Sequence, residues 1–488
     1  VLDWIAGALP GAVLLAIEGA LLLIALAVAP RGRRPSSALA WILLIVVLPL
    51  VGLALFGLIG SPKLPKARRD KQRTMNERIE ERSRAVEAVA DTHAAPRWLA
   101  PIARLNRSVG AMPLIDGNAA ELLPHFEEQL AALIQALDAA ERYAHVEFYI
   151  VALDDTTRPF FAALERAVAR GVEVRLLVDH LGSFKYPGFR RARKELTRIG
   201  VEWRLMLPVQ PFRGRYQRPD LRNHRKLMVV DGTVAFVGSM NVIDPGYETW
   251  SNRRRRLRWR DLMVEVRGPI VQEVEAIFAT DWFSETDQIP ATTTVDAVAN
   301  DDDPNTLLAQ IAPSGPAFES ENNLALFNSL IYAAEHRISI TSPYFVPDES
   351  LLGAILTAAR RGVDVELFVG EIGDQFFVFH AQHSYYRDLL EAGVRIYEYA
   401  APTILHAKHM SVDDRVAVVG SSNMDIRSFQ LDLELMMLVE GVAFTDALRR
   451  VEDEYRSRSK RIALEAWAGR SPFHAFIDGI ARLTSAVQ

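Results

Sequence analysis

The segments NHRKLMVVDGTVAFVGSMN (223–241) and LHAKHMSVDDRVAVVGSSN (405–423) carry one pattern twice, HxKx4Dx6GSxN, at an offset of 182 residues from His224 to His406. Three further blocks repeat ahead of it in the same order. VEFYIV (146–151) answers ISITSPYFV (338–346), ARGVEVRLLVD (169–179) answers RRGVDVELFVG (360–370), and RIGVEWRLM (198–206) answers EAGVRIYEY (391–399). A period this long is no solenoid unit, so the duplication predicts two like domains facing each other. Apolar strand runs alternate with helical periodicity, and in the ARGVEVRLLVD and RRGVDVELFVG pair a Gly closes the helix ahead of the strand. That pattern predicts α/β lobes with a largely buried sheet.

The boundaries follow from composition. The lobes are expected over 111–285 and 317–488. Residues 286–316, which include ATTT and NDDDPN, read as the linker between them. Residues 62–110 are charged and Pro-dotted, helix-like around 70–90, and read as a connector. The chain of 488 residues has room for about three domains. Its 56 Lys plus Arg against 61 Asp plus Glu leave a net charge of −5, which argues against a general nucleic-acid binder. With no Cys, disulfides, thiolate metal sites and a Cys nucleophile are excluded.

Residues 1–61 predict a transmembrane helical hairpin. Gly11 to Ala29 has Glu18 as its only charge, and Ala38 to Gly60 has none. As one helix the second run spans about 34 Å, enough for a hydrocarbon core of about 30 Å. A cleavable signal peptide is the alternative for the first run, but VLDW lacks a basic start. Glu18 reads either as a buried functional carboxylate or as a residue near the helix–helix contact that admits water. Lys63, Lys66, Arg68, Arg69, Lys71 and Arg73 after the second run place the long C-terminal part in the cytoplasm, whereas Arg31, Arg33 and Arg34 in the turn argue the other way.

Each HxK pair is expected at the start of an apolar strand, where residues two apart share a face. Imidazole and ammonium then stand side by side, as His224 with Lys226 and His406 with Lys408. The following hairpin returns Gly238-Ser239-x-Asn241 and Gly420-Ser421-x-Asn423 beside them, the small residues admitting a ligand. If the lobes pack about a pseudo-two-fold axis, two His, two Lys and two Asn converge with hydroxyls nearby. Such a site suits a phosphodiester: cations and amides stabilise the non-bridging oxygens, one imidazole attacks phosphorus, and the other protonates the leaving oxygen. The chemistry requires no metal and no cofactor. His406-x-x-His409 has metal-like spacing, but Lys408 lies between them and the first lobe has no matching cluster.

The duplicated HxKx4Dx6GSxN resembles the signature of the phospholipase D superfamily. AWILLIVVLP, SPYFVPDE (342–349), HSYYRDLLEAGVRIYEY (383–399), NMDIRSF (423–429) and the ending ARLTSAVQ resemble bacterial cardiolipin synthases, so the likeness covers nearly the whole chain. It implies an α/β fold of two phospholipase D-like lobes. It also implies a multi-pass protein of the inner membrane that condenses two phosphatidylglycerol molecules into cardiolipin and releases glycerol. By the resemblance His224 is the nucleophile and His406 the acid and then the base, although the near-symmetric motifs allow the reverse. Lys226 and Lys408 bind phosphate oxygens, with Asn241, Asn423, Ser239 and Ser421 on the substrate. Asp231 and Asp413 belong to the catalytic motif by name, but they are out of phase with the His face and read as turn-holders. Asp261 in WRDLMVEV and Glu434 in LELMML are the acids expected to orient the histidines. Asp432 stands where Asn is expected.

The partners implied are phosphatidylglycerol and anionic membrane lipid, with no nucleic acid; oligomeric state is not legible. RRRRLRWR (253–260) reads either as six arginines for lipid headgroups or as a solvated loop paired with local acids, and Trp250 and Trp259 flank or interrupt it as candidate interface residues. Nothing in the site residues excludes water as acceptor, so a phospholipase D or phosphodiesterase is the rival reading.

Overall fold

A computed structural model describes residues 19, 23, 26–30, 35–61, 63–83, 95–291 and 306–483. The chain forms two compact units, Val1–Leu64 and Pro65–Gln488.

In the first unit, most of the Gly11–Ala29 run, Glu18 and the turn arginines lie outside the described residues. The Ala38–Gly60 run is not the single helix expected. It is two helices, Pro35–Val47 and Pro49–Ile59, broken at Leu48, whose ψ of 75° is not helical. Pro49 is the physical cause, because its ring disfavours helical backbone in the residue before it. The helices fold back on each other. Trp41 meets Phe56 edge-on at 5.3 Å, and Gly52 lies so close to Ile45 that a Cβ would stand 2.7 Å from its Cα. Among the described residues no helix is long and apolar enough to cross a membrane.

Among the described residues the second unit is built on a sheet of sixteen strands, fifteen in one continuous order and the short strand Arg222–Asn223 paired onto it. In the first lobe these are β1 (Ile115–Leu123), β2 (Tyr143–Phe148), β3 (Glu173–Asp179), β4 (Glu202–Met206), β5 (Lys226–Val230), β6 (Val234–Gly238) and β7 (Met263–Arg267). The second lobe supplies β8 (Leu307–Ser314), β9 (Arg337–Thr341), β10 (Asp364–Gly370), β11 (Arg395–Tyr399), β12 (His409–Val412), β13 (Val416–Gly420), β14 (Asp432–Glu440) and β15 (Ser459–Arg461). Across the first lobe the order is β1-β7-β6-β5-β2-β3-β4, and across the second β8-β14-β13-β12-β9-β10-β11, with β15 at the far edge. The second order is the first repeated, so the duplication in sequence is a duplication in topology. Antiparallel pairing of β1 with β8 makes the two halves one sheet.

Strands β2, β5 and β6 are buried along their whole length. Helices cover them, as near-continuous apolar runs require. One core packs Phe160, Leu164 and Phe189 on the first half, and another packs Phe327, Leu330 and Ile355 on the second.

One boundary differs from expectation. β8 lies inside the segment read as linker: LLAQIAPS is a central, fully buried strand, and its acidic, Pro-containing approach hid it. The connector is docked. Its helix Lys66–Ser83 joins the helix Ile270–Thr286 through Arg68–Glu285 at 2.8 Å and through Lys71 to the Phe283 and Ser284 carbonyls. The basic residues read as a membrane-side signal are therefore partly spent on packing.

Candidate active site

The two histidines are placed by main-chain pairing between the lobes. The short strand Arg222–Asn223 runs parallel to the start of β14, with Leu433 opposite Asn223, and the His224 amide donates to the Leu433 carbonyl at 2.8 Å. Symmetrically, Thr403–Leu405 runs parallel to Arg258–Arg260, and the His406 amide donates to the Arg260 carbonyl at 2.7 Å. In each case the next residue on the partner strand is the acid. His224 Nδ1 lies 2.9 Å from Glu434 Oε1, and His406 Nδ1 lies 2.7 Å from Asp261 Oδ1. Each imidazole is thus oriented by the carboxylate of the other lobe. With Nδ1 committed, Nε2 is the nitrogen left for chemistry.

The GSxN segment builds the support. A Cβ on Gly238 would stand 2.4 Å from the Leu262 carbonyl oxygen, and one on Gly420 2.2 Å from that of Leu435. These glycines admit the acid-bearing strand, where the sequence suggested a ligand. Ser239 Oγ donates to Asp261 at 2.7 Å and accepts from the Leu262 amide, and Ser421 repeats both bonds with Glu434 and Leu435. The serines read as substrate-binding therefore hold the acids. Asn241 accepts from the Ile150 amide and donates to the Tyr247 hydroxyl at 2.8 Å, while Asn423 donates to Ser428 at 3.2 Å.

Asp231 and Asp413, named with the catalytic set, do not reach the site. Each sits at a turn with positive φ (53° and 49°), a conformation Asp tolerates. Asp231 accepts from the amides of Glu141, Arg142 and Tyr143, and Asp413 from those of Glu335, His336 and Arg337. They fasten the starts of β2 and β9. Lys226 and Lys408 are fully buried, and each ammonium donates to the carbonyl of its own histidine. His409 points elsewhere, its Nδ1 3.6 Å from Glu452.

His224, His406, Asn241 and Asn423 line one cavity of about 410 Å³. Trp259 lines it too and is buried, contrary to its reading as an interface residue, whereas Trp250 is exposed.

Comparison with known proteins decides the family. A model described as cardiolipin synthase, PLD-like domain, matches residues 133–282 and 327–455. One described as phospholipase D-nuclease N-terminal matches 20–61. Cardiolipin synthase A of Pectobacterium carotovorum is 31% identical over 92% of each chain, and that of Yersinia pseudotuberculosis 32% identical over 94% of this chain and 95% of its own. The chain belongs to the bacterial cardiolipin synthase family. It is a phosphatidyltransferase, and the phospholipase D-like fold is shared with a phosphatidylserine synthase from Haemophilus influenzae (TM-score 0.59, 14% identity, 80% of this chain and all of that one).

In this cardiolipin synthase-family site the two halves are electrostatically unequal. Burial, then the charges of Lys226 and Lys408, hold the His224 imidazole well below its usual pKa. Its partner Glu434 is pushed well up by burial. Both shifts favour the uncharged forms of His224 and Glu434. Burial and Lys408 also lower His406, but Asp261 opposes them. Burial would raise Asp261, yet the charge and hydrogen bond of His406 outweigh it and hold that carboxyl low. The ionised carboxylate is therefore beside His406. Burial lowers Lys226 to about 8 and Lys408 to about 7.

Sequence reasoning passed over several cavity residues. Tyr149 stacks edge-on against His224 at 4.9 Å and Tyr344 against His406 at 6.4 Å. Their signal was the Tyr shared by VEFYIV and TSPYFV. Arg427, from NMDIRSF, brings a guanidinium to the wall, its Nε 3.3 Å from Asp432. Asp432 keeps Oδ1 without a protein partner, and burial lifts its carboxyl to about 6.

Proposed function

We propose that the enzyme condenses two phosphatidylglycerol molecules into cardiolipin and glycerol through a phosphatidyl-histidine intermediate, without a metal. The observation that carries this reading is the pair of imidazoles in one cavity, each with Nδ1 on a carboxylate of the opposite lobe.

Neutral His224 attacks phosphorus of the first lipid through Nε2 and forms a P–N bond. The P–O bond to glycerol breaks, and His406 gives the departing oxygen its proton. His406, now neutral, takes the proton from a glycerol hydroxyl of the second phosphatidylglycerol. That oxygen attacks phosphorus, the P–N bond breaks, and cardiolipin forms with both histidines restored. Low proton affinity at His224 suits a nucleophile. The ionised Asp261 suits a histidine that must carry a proton at the start. Buried Lys226 and Lys408 and the wall residue Arg427 supply positive charge for the phosphoryl oxygens. The family and the N-terminal match support a membrane-associated enzyme; the cytoplasmic side for residues 65–488 rests on the excess of Lys and Arg after the second apolar run alone.

The test is a product assay with phosphatidylglycerol, comparing wild type with His224→Ala by mass spectrometry. Cardiolipin plus glycerol, absent in the variant, is the expected result. Phosphatidic acid without cardiolipin would make water the acceptor and overturn the synthase reading.

A further inference from the structure

The cavity is too small for its proposed substrate. At about 410 Å³ it takes a headgroup and phosphate. Each acyl chain of a phospholipid spans half of a hydrocarbon core roughly 30 Å thick, so two such chains must lie outside it. What surrounds the mouth is therefore informative.

Asp374, Gln375 and Val378 line the cavity, and the helix Phe376–His383 begins among them. Its Phe376 and Phe377 are more than half exposed. This helix packs on the C-terminal helix Pro472–Leu483, where His380 Nδ1 meets Asp478 at 2.8 Å. Asp478 and Ala481 face inward, while Phe473, Phe476, Ile480 and Leu483 form an exposed stripe at helical spacing. Exposed Phe184 directly precedes the cavity residues Lys185 and Tyr186. The arginine run adjoins the same rim: Arg255 donates to the Gly373 carbonyl at 2.9 Å, and Arg254 lies over the exposed Trp250 ring. Exposed phenyl rings beside arginines match a surface that buries apolar side chains at the headgroup boundary and attracts anionic lipid.

We propose that this rim, formed by the helices Phe376–His383 and Pro472–Leu483 with the arginine run, docks on an anionic bilayer and delivers lipid headgroups directly into the cavity. The proposal rests on the lipid-substrate reading. It adds a membrane contact made by the catalytic unit itself.

The chain has no Cys, so one introduced thiol carries one label. Phe376→Cys and Phe476→Cys, each bearing an environment-sensitive fluorophore, are placed as full chains in nanodiscs of phosphatidylglycerol and phosphatidylcholine containing lipids with nitroxide mid-chain. Glu165→Cys, on a helix that contributes nothing to the cavity, is the control. Blue-shifted emission and loss of fluorescence to the nitroxide at both test sites, but not at the control, is the expected result. Labels quenched no more than the control would overturn the proposal, including the case in which a second copy of the chain shields them. Cardiolipin is measured in the same discs: its absence with quenching intact counts against the substrate reading alone. A second arm uses Phe376→Ser with Phe476→Ser. The pair should lose kcat/KM on bilayer phosphatidylglycerol and keep wild-type turnover of a monomeric short-chain one. Equal activity on both would also overturn docking.

Discussion

His224 and His406 carry the same bond on Nδ1 but sit in different fields, and pH dependence should expose the difference. His224 must be neutral to attack, so activity is lost as pH falls through its pKa, which burial and two lysines hold below 6.5. The lysines must be charged to stabilise the phosphoryl oxygens, so activity is lost as pH rises through about 7 and about 8. His406 must start protonated, and burial with Lys408 holds it below 6.5 as well. The profile of kcat/KM, which reports the free enzyme, is therefore expected to be a narrow bell on the acid side of neutrality, its acid limb set by His224 and its alkaline limb starting with His406 and completed by the lysines. A flat profile up to pH 9 would contradict the role given to the lysines. Asp261→Asn should lower kcat by about 10²–10⁴-fold with little change in KM, because the charge beside His406 is lost while the cavity remains, whereas Glu434→Gln, which replaces a carboxyl that burial pushes toward its neutral form, should lower it far less.

At the level of the elements, the glycines and the motif aspartates make opposite predictions. Gly238→Ala would drive a Cβ into the main chain beside Asp261, displacing the acid that serves the other lobe's histidine. It should cost about 1–3 kcal/mol and also abolish most turnover. Asp413→Ala strips the acceptor from three amides at the start of β9, far from the chemistry. It should cost about 1–3 kcal/mol in denaturant unfolding while kcat of the folded fraction stays near wild type. The strands were legible because β2, β5, β6 and their repeats are apolar runs bounded by Gly and Asp. The motif residues were legible because they recur. The cross-lobe pairing of Arg222–Asn223 with β14 was not, since parallel contacts more than two hundred residues apart leave no local pattern. For the same reason Ser239 and Ser421 read as ligands to substrate when their partners are Asp261 and Glu434. The helix break at Leu48 was written in the sequence as Pro49, but uniform hydropathy masked it.

On the scale of the whole molecule, the site exists only because two copies of one topology share a sheet through β1 and β8 and exchange acids across it. The sheet and its covering helices bury carboxyls whose proton affinity burial raises, among them Glu147 on β2 and Glu273 and Glu452 on helices, the last to about 7. A carboxyl raised in the fold adds stability below its unfolded pKa, and that stability is lost as pH rises through the folded value. Unfolding free energy should therefore fall between about pH 4.5 and pH 7 on account of Glu452, by about 3 kcal/mol. Glu452→Gln should remove most of that fall, raising Tm at pH 8 and leaving it nearly unchanged at pH 4. Identical pH slopes for variant and wild type would contradict the assignment.

The division of labour between the lobes is tested most directly by trapping the intermediate. Wild type mixed with phosphatidylglycerol, quenched in alkali during the first turnover and digested, should yield a phosphatidyl adduct on the peptide containing His224 and none on that containing His406. An adduct on His406, or cardiolipin formed at full rate with no adduct on either histidine, would contradict it.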